Sequence, residues 1–271
     1  GANTTASYNT AVGYASLQAN TTGALNTSVG KGSMAVNTTG GGNTAMGVSA
    51  LDANTSGNNN VSIGIYSLSA NTTAGNNSAF GYSALNANTT GVNNTAVGYE
   101  SLNANTTAGY NVAVGYRAAY SNTTGTGNNA FGYQALQYNT TGEQNSSVGT
   151  NSLRYNTTGD SNTAVGRDAL HTNTTADNNT AVGYYALRLN TTGISNTAVG
   201  KGALAANTTA NYNSAFGENA LLANTTGTQN SGIGRYTLAQ NTTGNYNVAV
   251  GGDALTANTT ASNNTAVGMF A

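Results

Sequence analysis

The chain has 271 residues, with no Cys, no Pro and no Trp, and only 6% of them are charged, against roughly 25% in ordinary soluble domains. Seven basic and eight acidic side chains give a formal net charge of −1, too little cationic charge to neutralise a nucleic-acid backbone. The lack of cysteine excludes a disulfide scaffold, a zinc knuckle and a thiol nucleophile. No run of about 18 apolar residues points to a membrane-spanning helix, and no signal peptide opens the chain. A start at Gly1 rather than Met reads as a processed or excerpted piece.

One repeat fills the chain. An Asn at position 9 recurs every 17 residues, without insertion or deletion, to Asn264. Such a strict period is the mark of a solenoid or fibre. Numbering columns 1 to 17 from that Asn, columns 1 and 12 are always Asn, column 5 is always Gly and column 13 is always Thr. Both termini cut through a repeat, Gly1 in column 10 and Ala271 in column 8. The expected organisation is one continuous solenoid over residues 1–271, about sixteen coils long.

Columns 1 to 5, as in Asn94-Thr95-Ala96-Val97-Gly98, read as a brief strand with columns 2 and 4 on one face. Column 4 is always apolar and column 9 is Leu except for Met34 and Ala119. These two columns are expected to form a thin core, too small for one repeat to fold alone. The fixed positions 5, 8, 9 and 12 have the i, i+3, i+4, i+7 spacing of a helix face. A short helical or 3-10 turn is one reading of that stretch, with Asn at column 12 in the left-handed conformation that ends it. A corner followed by a second strand is the other. Columns 13 to 17 read as the return turn. Invariant Asn in columns 1 and 12 suits ladders of side-chain amides running from coil to coil.

The strand carries no charge on either face, which is usual for a strand covered on both. One side is expected to be the coil interior and the other the return arm or another chain. Column 3 holds only Ala, Ser and Gly232. Its small residues, Ala96, Ala113 and Ala130 among them, make it the expected close-contact surface for lateral association.

At Asn-Thr-Ala-Val-Gly the chain resembles the head repeats of YadA-like trimeric adhesins. Thr-Ala-Val-Gly at 95–98 lines up with the V-A-I-G strand of that family. The whole unit, as in Asn179 to Gly193, is also similar to repeats of bacterial surface fibres and phage tail fibres. The resemblance implies a parallel β-roll, a trimer, and a place outside the cell or on a cell or virion surface.

Chemistry-bearing residues are sparse. His171, the only His, is expected between Arg154 and Arg188 of the neighbouring coils, with no carboxylate to hold it. Asp160, Asp168 and Asp177 form the densest acidic group, a solvated face or a weak cation site. All fifteen charged side chains fall in columns 6, 7, 10 and 16, which are therefore expected to face water. No catalytic residue, metal site or cofactor is expected, and the chain reads as a non-enzyme.

Three surface readings remain. Asn-Thr-Thr in columns 12 to 14, with Ser56 the one departure from Thr in column 14, is an N-glycosylation sequon in every copy. The candidate acceptors are Asn3, Asn20, Asn37, Asn54, Asn71, Asn88, Asn105, Asn122, Asn139, Asn156, Asn173, Asn190, Asn207, Asn224, Asn241 and Asn258. A buried Asn ladder beside a Thr turn is the alternative. Tyr14, Tyr82, Tyr99, Tyr116, Tyr133 and Tyr184 share column 6 and form a candidate surface for a glycan or protein partner. The Thr columns suggest ice binding. The function that follows is structural, a segment of an extracellular fibre, stalk or adhesin. Self-association is expected end to end, with sideways or trimeric association as the further option, and without nucleic acid or membrane insertion. A glycan- or ice-binding solenoid is the alternative.

Overall fold

A computed structural model describes residues 3–271 and shows a parallel β-solenoid of about 15 turns with 17 residues per coil. Gly1, and with it the cut first repeat's column 10, lies outside the described residues. Every repeat contributes one three-residue strand, from β1 (Thr10–Val12) to β16 (Thr265–Val267). The chain divides into two compact units, Gly1–Gln134 with Asn139–Thr141, and Ala135–Tyr138 with Gly142–Ala271.

In the first unit, β1 to β8 (Asn129–Phe131) pair in chain order, each parallel to the next and in strict register. Thus Thr95, Ala96 and Val97 face Val112, Ala113 and Val114. The second unit repeats the arrangement from β9 (Ser146–Val148) to β16, as where Thr180, Ala181 and Val182 face Thr197, Ala198 and Val199.

The strand turns a different face inward from the one expected. Column 3 is buried, with Ala96, Ala113 and Ala130 at 0% exposure, while columns 2 and 4 point outward. Val97, Phe80 and Phe131 of column 4 are 36%, 39% and 41% exposed. The core is built from small residues of columns 3 and 8 and from Leu of column 9, which is fully buried from Leu51 to Leu238 wherever it is Leu. The physical reason is width. The strand lies against the column 8 and 9 arc closely enough that only a methyl or hydroxyl fits between them, so the two-residue strand period sends the larger side chains out. Column 3 is therefore internal, and it cannot be the contact surface between chains. Where column 3 is Ser, column 8 is Ser too, and the buried hydroxyls meet: Ser62 and Ser67 Oγ are 2.6 Å apart, as are Ser147 and Ser152.

The other half of each coil is neither helix nor second strand. Columns 6 to 11 form a run of turns. Column 9 has φ between +46° and +54° and column 7 is also left-handed, which excludes a right-handed helix. No described Asn of column 12 has positive φ. A left-handed Leu costs about 1–2 kcal/mol. The conformation turns its N–H along the solenoid, where Leu102 N donates to Ala118 O of the next coil at 3.0 Å. The fixed spacing of 5, 8, 9 and 12 thus reflects one closed coil and not a helix face. Gly at column 5 has φ of +123° to +141°, and a β-carbon at Gly149 would stand 2.7 Å from Gly166 O, so no other residue fits.

Candidate functional site

Two amide ladders hold successive coils together. In column 12, Asn105 Nδ2 donates to Asn88 Oδ1 at 2.9 Å and to Ala108 O of its own coil at 3.0 Å. Its Oδ1 accepts from Asn122 Nδ2 at 3.0 Å. In column 1, Asn94 Nδ2 reaches the same Ala108 O at 2.8 Å, and its Oδ1 accepts the backbone N–H of Asn111 at 3.0 Å. One carbonyl thus closes the coil by taking both invariant amides. Buried amides whose nitrogen and oxygen are both engaged stabilise the fold, whereas an unpaired one would cost about 1–3 kcal/mol.

This settles where the sequon asparagines lie. From Asn20 to Asn241 the column-12 side chains are buried at 0–1% exposure, with Nδ2 engaged in the ladder. The glycosylation reading needs an outward, free amide, and in the folded coil these residues do not supply one. Only Asn3, which is exposed, and Asn258, which is half-buried, lie outside that pattern. The column-13 threonines are also tied in: Thr106 Oγ1 donates to Thr123 O at 3.1 Å.

The tyrosine column is brought together in part. Tyr82, Tyr99, Tyr116 and Tyr133 stack in sequence with ring centroids 5.2, 5.5 and 5.2 Å apart and planes within 11–12°. Tyr66 of column 7 meets the end of this stack edge-on at 6.3 Å. The four rings are 37–51% exposed, presenting edges and hydroxyls while their faces cover one another. Tyr184 lies apart, against Tyr185 at 3.8 Å. Tyr14 is 80% exposed, and Lys31 follows it in the column. A second stack, Tyr138 on Tyr155 at 5.2 Å, stands in column 11, and its one signal in the sequence is two Tyr 17 residues apart.

The charged columns are less uniformly solvated than expected. Asp168 is buried at 7% exposure. Its carboxylate accepts from Arg167 Nε at 3.2 Å and Asn151 Nδ2 at 3.2 Å, and its Oδ1 lies 3.9 Å from His171 Nε2. His171 therefore does have a carboxylate beside it, supplied by its own coil three residues back. Tyr155 meets the imidazole edge-on at 5.0 Å. Burial pushes the imidazole below its ordinary pKa of 6.5; Asp168 opposes this, and Arg154 and Arg188 add to it. Glu100 and Arg117 pair at 2.7 Å.

The acidic trio is split. Asp160 and Asp177 belong to a column-16 row in which each carboxylate caps the preceding coil: Glu143 N donates to Asp160 Oδ1 and Asp160 N to Asp177 Oδ1, both at 2.7 Å. Asp168 stands in column 7. Among the described residues no three His, Asp or Glu side chains gather closely enough to hold a metal ion.

Strand column 4 and turn column 6 leave a run of large side chains uncovered. Between Met46 and Tyr133, columns 4 and 6 of the first unit carry only apolar and tyrosine side chains. In the second unit, column 6 carries Arg167, Lys201, Glu218 and Arg235. No protein-family model, no curated protein and no solved structure matches this chain.

Proposed function

We propose that the chain is a non-enzymatic structural segment of an extracellular fibre, stalk or adhesin. The observation that supports this is the repetition of the amide ladders: in coil after coil, column-12 amides bond to the preceding coil and to their own column-15 carbonyl. A pull along the stack of coils is opposed at each step by buried hydrogen bonds that act side by side. The adhesin-like strand Thr95-Ala96-Val97-Gly98 is consistent with a surface location.

Single-molecule pulling tests the mechanical part. Coils should come off against measurable force, in contour steps of about 60 Å, the extended reach of 17 residues. Extension without such steps would sink the reading. Antibody labelling of intact source cells or virions tests location, and signal only after permeabilisation would count against an external fibre.

Glycan binding is a second reading, favoured by the exposure of the Tyr82 to Tyr133 stack. Because the ring faces cover one another, a sugar would be held by hydrogen bonds to phenol edges and hydroxyls and not by stacking. A glycan array probed with the intact chain and with Tyr99→Leu would detect it.

A further inference from the structure

We propose that the surface formed in the first unit by the outward strand column 4 and the neighbouring turn column 6, from Met46 to Tyr133, is an interface between two copies of this chain. The inference deepens the structural reading and rests on it only in taking the chain to work within an assembly.

Three observations carry it. The first is area. Ten large apolar or tyrosine side chains on this face are 36–51% exposed, Met46, Phe80, Phe131 and Tyr99 among them. At roughly two-fifths of an aromatic-sized surface for the six aromatic rings and less for the four aliphatic side chains, they expose about 700 Å², phenol hydroxyls included. That is at or above the largest apolar patch of a typical monomer, about 300–600 Å², and approaches the roughly 800 Å² that each partner buries in a stable complex.

The second is charge. Columns 4 and 6 carry none over this stretch. The nearest charges in sequence, Glu100 and Arg117 of column 7, neutralise each other at 2.7 Å. Burying the face therefore strands no lone charge, which is the main cost of covering a polar surface.

The third is period, and it selects the occupant. The rows advance one residue per coil, at the spacing of paired strands, about 4.8 Å, with the stacked tyrosine ring centroids 5.2–5.5 Å apart. Side chains at such spacing interlock over many coils only with a surface of the same step. A partner without this repeat matches at one or two coils and then falls out of register. A second copy has the step by construction, and a two-fold pairing places the same patch on both sides. Column 6 of the second unit, with Arg167, Lys201, Glu218 and Arg235, would bury charge on pairing, so the contact is confined to the first unit.

Sedimentation equilibrium of the full chain tests this. A dimer at micromolar concentration is expected. Phe80→Lys with Phe131→Lys should shift it to monomer by at least tenfold in dissociation constant, with unchanged circular dichroism, and Phe216→Lys on the second unit should leave it dimeric. A monomeric parent chain, a double variant that stays dimeric, or a Phe216→Lys monomer would each overturn the proposal. Because the chain has no cysteine, Val97→Cys gives a second measurement that does not depend on how the lysine variants fold. Mild oxidation should join two copies through Val97→Cys and not through Val182→Cys, and the reverse pattern or no joining would refute the interface. A monomer would leave the external-fibre reading standing, since that is judged by pulling and labelling.

Discussion

A β-carbon on Gly232 would lie 2.9 Å from Oγ1 of Thr237. These are the one glycine of column 3 and the one threonine of column 8, so the larger side chain on one wall is matched by the absence of one on the other. Gly232→Ala alone should destabilise by about 1–3 kcal/mol through overpacking. Adding Thr237→Ala should recover most of that, with a coupling of about 1 kcal/mol or more in a double-mutant cycle. Urea unfolding of the four chains measures it, and additive effects would show that the two walls do not press on each other.

Asn105→Ala should cost about 3 kcal/mol. It leaves Asn88 Oδ1 without its donor and takes one of two acceptors from Asn122 Nδ2. Ala108 O keeps its bond from Asn94, so the coil should loosen without opening fully. Native-state hydrogen exchange should speed up at the neighbouring coils first, as expected where each repeat touches only its neighbours. Leu102→Ala, which empties a fully buried site, is expected to cost about 2–5 kcal/mol. If Asn105→Ala proved neutral, the ladder would be geometry without energetic weight.

Much of this was legible in advance. The period and the ladder columns follow from residues that never vary, and the strand from the short stretch with apolar column 4 that ends in invariant Gly. What the alternation could not show was which strand face turns inward, because Thr95 and Val97 satisfy the two-residue period either way. The stronger signal lay in column 3, where smallness means confinement, and in the paired choices Ser62 with Ser67 and Gly232 with Thr237. The helical reading of columns 5 to 12 failed because a closed coil also fixes positions three and four apart. The Tyr82 to Tyr133 stack was visible as one column, while the contact of Asp168 with His171 depends on left-handed turns at columns 7 and 9 that propensities do not suggest.

His171 gives a pH dependence whose sign can be worked out. Burial, partly offset by Asp168 and reinforced by Arg154 and Arg188, holds its folded pKa below the unfolded 6.5. On acidification the unfolded chain takes up the proton first. The stability is therefore full above 6.5 and is lost as pH falls from 6.5 toward the folded pKa. Proton NMR should show the single imidazole titrating below 6.5. Urea midpoints should fall between roughly pH 7.5 and 5 by more in the parent chain than in His171→Gln. An imidazole that titrates above 6.5 would mean that Asp168 outweighs burial.

Secretion from a glycosylating host should return a folded chain at its bare mass, since Asn20 to Asn241 of column 12 keep their amides inside the coil. One or two sugars at the end positions Asn3 and Asn258 would be compatible with this. Sugar on many inner sites of a folded product would contradict the buried ladder.

Every strand pair joins a residue to the one 17 places on, and the paired core choices Ser62 with Ser67 and Gly232 with Thr237 each lie within a single coil. A duplicated or lost coil therefore carries its own fitted interior with it and presents its neighbours with the contacts they already had. Such a chain can grow or shorten by unequal recombination without redesign of the fold, whereas insertion of one residue turns column 3 outward for the rest of that strand. Length is then a freely adjustable trait, counted in whole coils.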